Sequence, residues 1–212
     1  MPYNPQIHHR RSIRLKGYDY TQPGGYFVTI CTKEKQCLFG DIVQRKMRFN
    51  SLGAIAFNTW QQIAEKFSHV ELDYFIIMPN HIHGILIFNE IIADPQSPVG
   101  AKRAVSLHQT SLSEQEISSK STQRPHGAAP KSLGAVVGWY KSSVSKSINR
   151  ICNNSGQGLI WQRDYYEEII RDETALNTIR KYIIENPLRW EDDPEHPPSN
   201  KIKSELLIDL PF

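Results

Sequence analysis

Cysteine is scarce in this chain: Cys31, Cys37 and Cys152 are the three among 212 residues. An odd number without CxxC spacing excludes a disulfide framework and the common zinc pairings, and it fits reduced thiols in a cytoplasmic protein. Long apolar runs are missing as well. Nothing approaches the roughly eighteen residues of a membrane-spanning helix, and the N-terminus, MPYNPQIHHRRSIRLKG, lacks the apolar centre of a secretory signal. No membrane partner is therefore expected. Acidic residues are absent before Asp19 and again between Lys131 and Arg150. Those gaps leave Arg10, Arg11, Arg14 and Lys16 together near one end, and Lys141 and Lys146 on a later segment, although the net charge is only +3. Two readings stay open on charge alone: a basic surface that attracts phosphates, or an ordinary solvated arm and helix face.

Against these absences stands one dense apolar stretch, Leu72 to Phe88, LDYFIIMPNHIHGILIF. Its β-branched and aromatic runs, punctuated by Met78, Pro79 and Asn80, predict two strands, 72–77 and 81–88. Side chains alternate across a strand, so His81 and His83 share one face and Ile82 takes the other. Two neighbouring imidazoles suit a shared metal ion. They are equally read as two polar residues on a solvated face, but apolar flanks make them costly to bury without partners.

The rest of the chain falls into order around that hairpin. YFVTICT, 26–32, predicts a first strand and 37–43 a second, extendable to Phe49. Asn50 or Ser51 caps a helix to Phe67, with Ile55, Trp60, Ile63 and Phe67 at helical spacing. Residues 89–130 contain no aromatic residue and are rich in Ser, Gln, Lys, Thr and Pro, so they read as a mobile insertion in which Ile91, Ile92, Val105 and Leu107 could form a short element. A helix over 132–150 follows, with Leu133, Val136, Val137, Tyr140 and Val144 as its buried stripe. A strand over 159–170 and an Asp172-capped helix ending at Asn186-Pro187 come next, the helix turning Leu176, Ile179, Ile183 and Ile184 inward. The order predicts one α+β domain, an antiparallel sheet with helices packed on one face, on a ferredoxin-like plan. An N-terminal arm, 1–20, and a Pro-rich tail, 191–212, flank it. Thr178, Tyr182 and Asn186 follow one another at i, i+4 on the flank of the last helix. By spacing alone Tyr182 is an ordinary core-edge aromatic.

MPNHIHGIL, then WQRDYYEEIIRDE, then YIIENPLRW, in that order, strongly resembles the REP-associated tyrosine transposases, single-tyrosine members of the HUH endonuclease superfamily. The resemblance runs from about Tyr18 to Trp190 apart from the insertion. It implies the HUH endonuclease fold and a metal-dependent endonuclease and strand transferase. Such an enzyme cleaves and rejoins single-stranded DNA beside hairpins through a 5′-phosphotyrosine. His81 and His83 match its metal pair, Asn186 the polar residue that can complete the site, and Tyr182 its nucleophile. The implied cofactor is Mg²⁺ or Mn²⁺, the partner is hairpin-bearing single-stranded DNA, and the protein works as a monomer or a homodimer. Tyr165 and Tyr166 match the strand after Trp161-Gln162, where packing is the expected role. Arg10, Arg11, Arg14, Lys16, Lys141 and Lys146 are the candidates for phosphate contact. No base is named for the tyrosine.

Other His-X-His enzymes fit less well. An amidohydrolase needs a barrel of about 250 residues, and in metallo-β-lactamase-like hydrolases Asp and His follow, where this chain has Gly84 and Ile85. A structural zinc site would want four protein ligands, usually including cysteines. The rival of another class is a non-catalytic DNA-binding protein on the same scaffold.

Overall fold

The structure, a computed structural model, describes residues 15, 17–90, 128–152 and 160–197. Strands β1 (Gly24–Cys31), β4 (Val70–Ile77), β5 (His81–Phe88) and β6 (Tyr166–Ile170) make one sheet in the order β4-β5-β1-β6, every pair antiparallel. Both central strands are buried on both faces because both faces are covered. From β1, Tyr26, Val28 and Ile30 enter the main core, joined from β5 by Ile82, Leu86 and Phe88. The intervening residues of the same strands, Phe27 and Ile85 among them, build a second, smaller cluster. Period-2 alternation thus separates two cores.

Helices α1 (Ser51–Lys66) and α2 (Leu133–Ile151) cover the main face. Asn50 caps α1 by accepting from the amides of Leu52 and Gly53, and Ser132 caps α2 by accepting from Ala135. Trp60 of α1 lies so close to the sheet that a Cβ on Gly84 would come within 2.2 Å of its ring. Tyr140 of α2 packs edge-on against Trp60 and donates its hydroxyl to the Ala56 carbonyl, 3.0 Å. The α2 stripe is as expected, with Ile148 added; on α1, Ile55 and Phe67 are only half-buried.

The expected plan is present, an antiparallel sheet with helices packed on one side. The last helix adds to it: α3 (Glu173–Glu185), capped by Asp172, lies against the opposite face through Leu176, Ile179 and Ile183. Ile184, expected inward, is 56% exposed, because the helix has turned past the sheet by that residue. A bidentate pair fixes α3 to β4, the Arg180 guanidinium donating to both carboxylate oxygens of Asp73 at 2.9 and 2.5 Å.

Two strand expectations change. Residues 37–49 are not one extended strand but a hairpin, β2 (Gly40–Val43) and β3 (Lys46–Phe49), turning at Gln44 and Arg45, both at positive φ. The strand expected over 159–170 begins only at Tyr166. Ahead of it the chain buries Trp161 against Phe39 and Tyr140, and the indole N–H donates to the Lys141 carbonyl. The Lys141 ammonium in turn donates to the carbonyls of Gln162, Arg163 and Asp164. Those carbonyls are therefore satisfied by a lysine rather than by a strand ladder. The three cysteines are free, as expected. No helix among the described residues is long and apolar enough to cross a membrane.

Candidate functional site

The second face of the sheet carries the imidazoles. His81 and His83 are 0% and 2% exposed, with ring centroids 4.4 Å apart. The solvated-face reading therefore does not apply. Burial pushes both down to about 3, helped at His81 by Lys35 and at His83 by His81 itself. Both rings are neutral, the form that binds metals.

The network around His81 fixes which nitrogen is free. Asn80 donates its amide nitrogen to the carbonyls of Lys35 and Glu195, at 3.0 and 2.7 Å. Its oxygen must then accept from His81 Nδ1, 2.8 Å away. The Nδ1 proton leaves a lone pair on Nε2, which is buried and has no hydrogen-bond partner among the described residues. His83 is steadied from β1, where Thr29 Oγ1 lies 2.8 Å from Nδ1. Phe27 stacks on its ring at 5.4 Å.

The helix end and the turn behind it close the site. After α3 the chain continues as a 3₁₀ turn, Asn186–Asp192, with Pro187 in its first turn. Asn186 donates its amide nitrogen to Asp193 Oδ2 at 2.8 Å, so its Oδ1 is the free end, again buried and without a partner among the described residues. Ligand atoms of His81, His83 and Asp193 all lie within 4.8 Å of one another. The His81 lone pair, the His83 ring and the Asp193 carboxylate lie close enough to share one ion, and the buried Asn186 amide oxygen is free beside Asp193, which is the donor set of a cation site. The residues present therefore fit a metal ion.

Tyr182 sits at the rim of this group, its hydroxyl 3.2 Å from His83 Nε2. The i, i+4 offset to Asn186 and the seating of Ile183 on the sheet bring both to the imidazoles. Burial pushes the phenol up to about 12, with the Asp193 and Glu195 carboxylates adding to the shift and Asn186 opposing it.

A short strap, residues 193–196, lies over the imidazoles. Glu195 takes an ion pair from Lys35 at 3.2 Å and a weak bond from the Cys31 thiol at 3.4 Å, while His196 packs edge-on against Trp190.

Of the expected site residues, His81, His83, Asn186 and Tyr182 come together. Lys141 is held by three carbonyls, and Lys146 is exposed, both on α2 across the sheet from the imidazoles. Arg10, Arg11, Arg14 and Lys16 lie outside the described residues, as does almost all of the 89–130 insertion. Sequence reasoning gave no role to Asp193, Asn80 or Thr29. The signals were an acid cluster just past Asn186-Pro187, an Asn directly before the first histidine, and a lone threonine in an apolar strand.

Comparison with known proteins gives one near relative. A protein of Haemophilus influenzae strain Rd, described as uncharacterized, is 40% identical over 191 residues, 90% of this chain and 95% of that one. No family model matches. Among solved structures, a REP-associated tyrosine transposase bound to a REP hairpin matches with a TM-score of 0.44 and 14% identity, covering 84% of this chain and 74% of that one. A transposase candidate from Deinococcus radiodurans matches at 0.40 and 16%, covering 83% and 98%. Neither likeness is close enough to carry an activity across.

Proposed function

We propose that this chain, which belongs to one family with the uncharacterized Haemophilus influenzae protein, is a metal-dependent single-stranded DNA endonuclease and strand transferase with Tyr182 as its nucleophile. The reading is that of a REP-associated tyrosine transposase acting in the cytoplasm on DNA beside hairpins. The observation that carries it is the Tyr182 hydroxyl at 3.2 Å from His83 Nε2, across 99 positions of sequence, at the edge of the convergent donor set.

Mg²⁺ or Mn²⁺, held by His81 and His83 with Asn186 or Asp193, would supply positive charge and polarise a non-bridging phosphate oxygen. Two imidazole nitrogens among the donors suit Mn²⁺ better than Mg²⁺. The chain's own residues do the rest. Asn80 and Thr29 hold the two rings in place. The Tyr182 oxygen attacks phosphorus, the bond to the 3′-oxygen breaks, and the protein keeps a 5′-phosphotyrosine while the other strand end leaves as a 3′-hydroxyl. Because the phosphodiester energy is retained, the reverse attack rejoins strands without a further cofactor. The phenol is neutral before attack and 38% exposed, so its proton passes to solvent as the bond to phosphorus forms.

The test is an SDS-resistant protein–DNA adduct on hairpin-bearing single strands with Mn²⁺. Wild type, Tyr165→Phe and Tyr166→Phe should form it, and Tyr182→Phe should not. An undiminished adduct in Tyr182→Phe overturns the nucleophile. DNA binding without any adduct in wild type would favour the non-catalytic reading instead.

A further inference from the structure

Beside Tyr182 a cleft of about 500 Å³ opens between β6 and α3, reaching His83 and Glu195 at its inner end. Phe27 forms its floor, 6% exposed. Tyr166 packs edge-on to Phe27 at 6.3 Å and Tyr182 does the same at 6.2 Å, so two tyrosines stand over one phenylalanine. Both remain open to solvent, Tyr166 at 47% and Tyr182 at 38%. Ile179 and Thr178 of α3 close one side, and Glu168 stands at the rim. Tyr165, by contrast, packs against the main core across the sheet.

Register ties the cleft to the reaction. Tyr166 lies directly opposite Thr29, and Thr29 directly opposite His83, so the three form one row across the sheet. Two strand spacings of about 4.8 Å put the Tyr166 and His83 backbones roughly 10 Å apart. A group seated over Phe27 therefore neighbours whatever phosphate Tyr182 attacks. Glu168 decides which part of a nucleic acid that is. Its carboxylate repels a phosphate, and a carboxylate accepts hydrogen bonds from the exocyclic amino group of a base.

We infer that this cleft is a nucleobase subsite: Tyr166 stacks the base of a nucleotide adjoining the cleaved phosphate, and Glu168 selects a base bearing an exocyclic amino group over thymine. The inference rests on the single-stranded DNA reading above and adds a specificity residue to it. Tyr166 is a binding residue here and takes no part in bond making. Its hydroxyl already donates weakly to Glu168 at 3.3 Å, an interaction that an incoming amino group replaces.

Fluorescence anisotropy with two labelled 20-mers, oligo-dC and oligo-dT, tests it with the full chain. Wild type should bind oligo-dC several-fold more tightly. Tyr166→Ala should lose about tenfold on oligo-dC, the size of one lost base stack, whereas Tyr166→Phe should retain it. Glu168→Gln should narrow the preference for oligo-dC while still binding both. Photo-crosslinking of 5-iodo-deoxycytidine oligonucleotide should label the peptide carrying Tyr166. Unchanged binding in a folded Tyr166→Ala, or a crosslink confined to other peptides, overturns the subsite and leaves the nuclease reading standing. Wild type that binds neither 20-mer overturns the single-strand reading and the subsite with it.

Discussion

His81 and Asn186 each have one polar end held and one end free, and the two held ends dictate the two free ones. Asn80→Ala should therefore lower Mn²⁺ affinity by about 10–100-fold, the usual cost of losing a partner that orients a ligand. Asp193→Ala should lower it at least as far. Isothermal titration with MnCl₂ measures both, and wild-type affinity in Asp193→Ala would leave Asn186 as the third ligand. Gly84 makes a different point at the same scale. A methyl group there meets the Trp60 ring at 2.2 Å, so Gly84→Ala should cost about 1–3 kcal/mol by overpacking. Denaturant unfolding reads that loss directly. The histidine pair was legible in sequence because alternation alone puts both on one face. The orienting partners were not, since Thr29 and Asn80 acquire their roles only through strand pairing and the returning strap.

At the scale of the element, α3 brings Tyr182 to the imidazoles and one ion pair fixes its pitch on the sheet. The Arg180 hydrogen bonds hold the Asp73 carboxyl below the usual carboxylate range. A lowered pKa contributes stability in full above the unfolded value, about 3.9, and loses it as pH falls through the folded value. The gap in Tm between wild type and Asp73→Asn should therefore be widest near neutral pH and close as pH falls below about 4. A gap that widened toward acid would contradict the clamp. Helices α1, α2 and α3 were legible within a residue or two, because caps and apolar spacing are local signals. The segment before β6 was not, because its carbonyls are taken by Lys141 from a distant helix. Lys141→Ala should loosen that segment, seen as faster amide exchange over residues 160–165.

Across the whole molecule, the two ends of the 89–130 segment meet at one residue. Asn89 donates its amide to the His69 carbonyl at 2.9 Å, and the His69 ring lies 3.1 Å from the Lys131 carbonyl. Joining residues 90 and 128 through a short Gly-Ser bridge should thus leave Tm within a few degrees and adduct formation intact. A chain that failed to fold would show that the segment supplies core. Ligand linkage gives a second whole-molecule expectation. Mn²⁺ at a hundredfold excess over its Kd should stabilise wild type by about 2.7 kcal/mol, and EDTA should reverse it. His81→Ala should show no such gain in a thermal scan.

The sequence by itself determined three helices and the strand pair that carries the histidines, that His81 and His83 share a face, and that Tyr182 and Asn186 share a helix flank. All three follow from periodicities of two and 3.6 residues, which a one-dimensional string carries. Only the tertiary structure decided that α3 crosses to the face bearing the imidazoles, that Asp193 returns to complete the donor set, and that Tyr166 faces a cleft while Tyr165 faces the core. Each of these depends on which buried surface packs against which. That choice is made by contacts between residues far apart in sequence, where no period reaches.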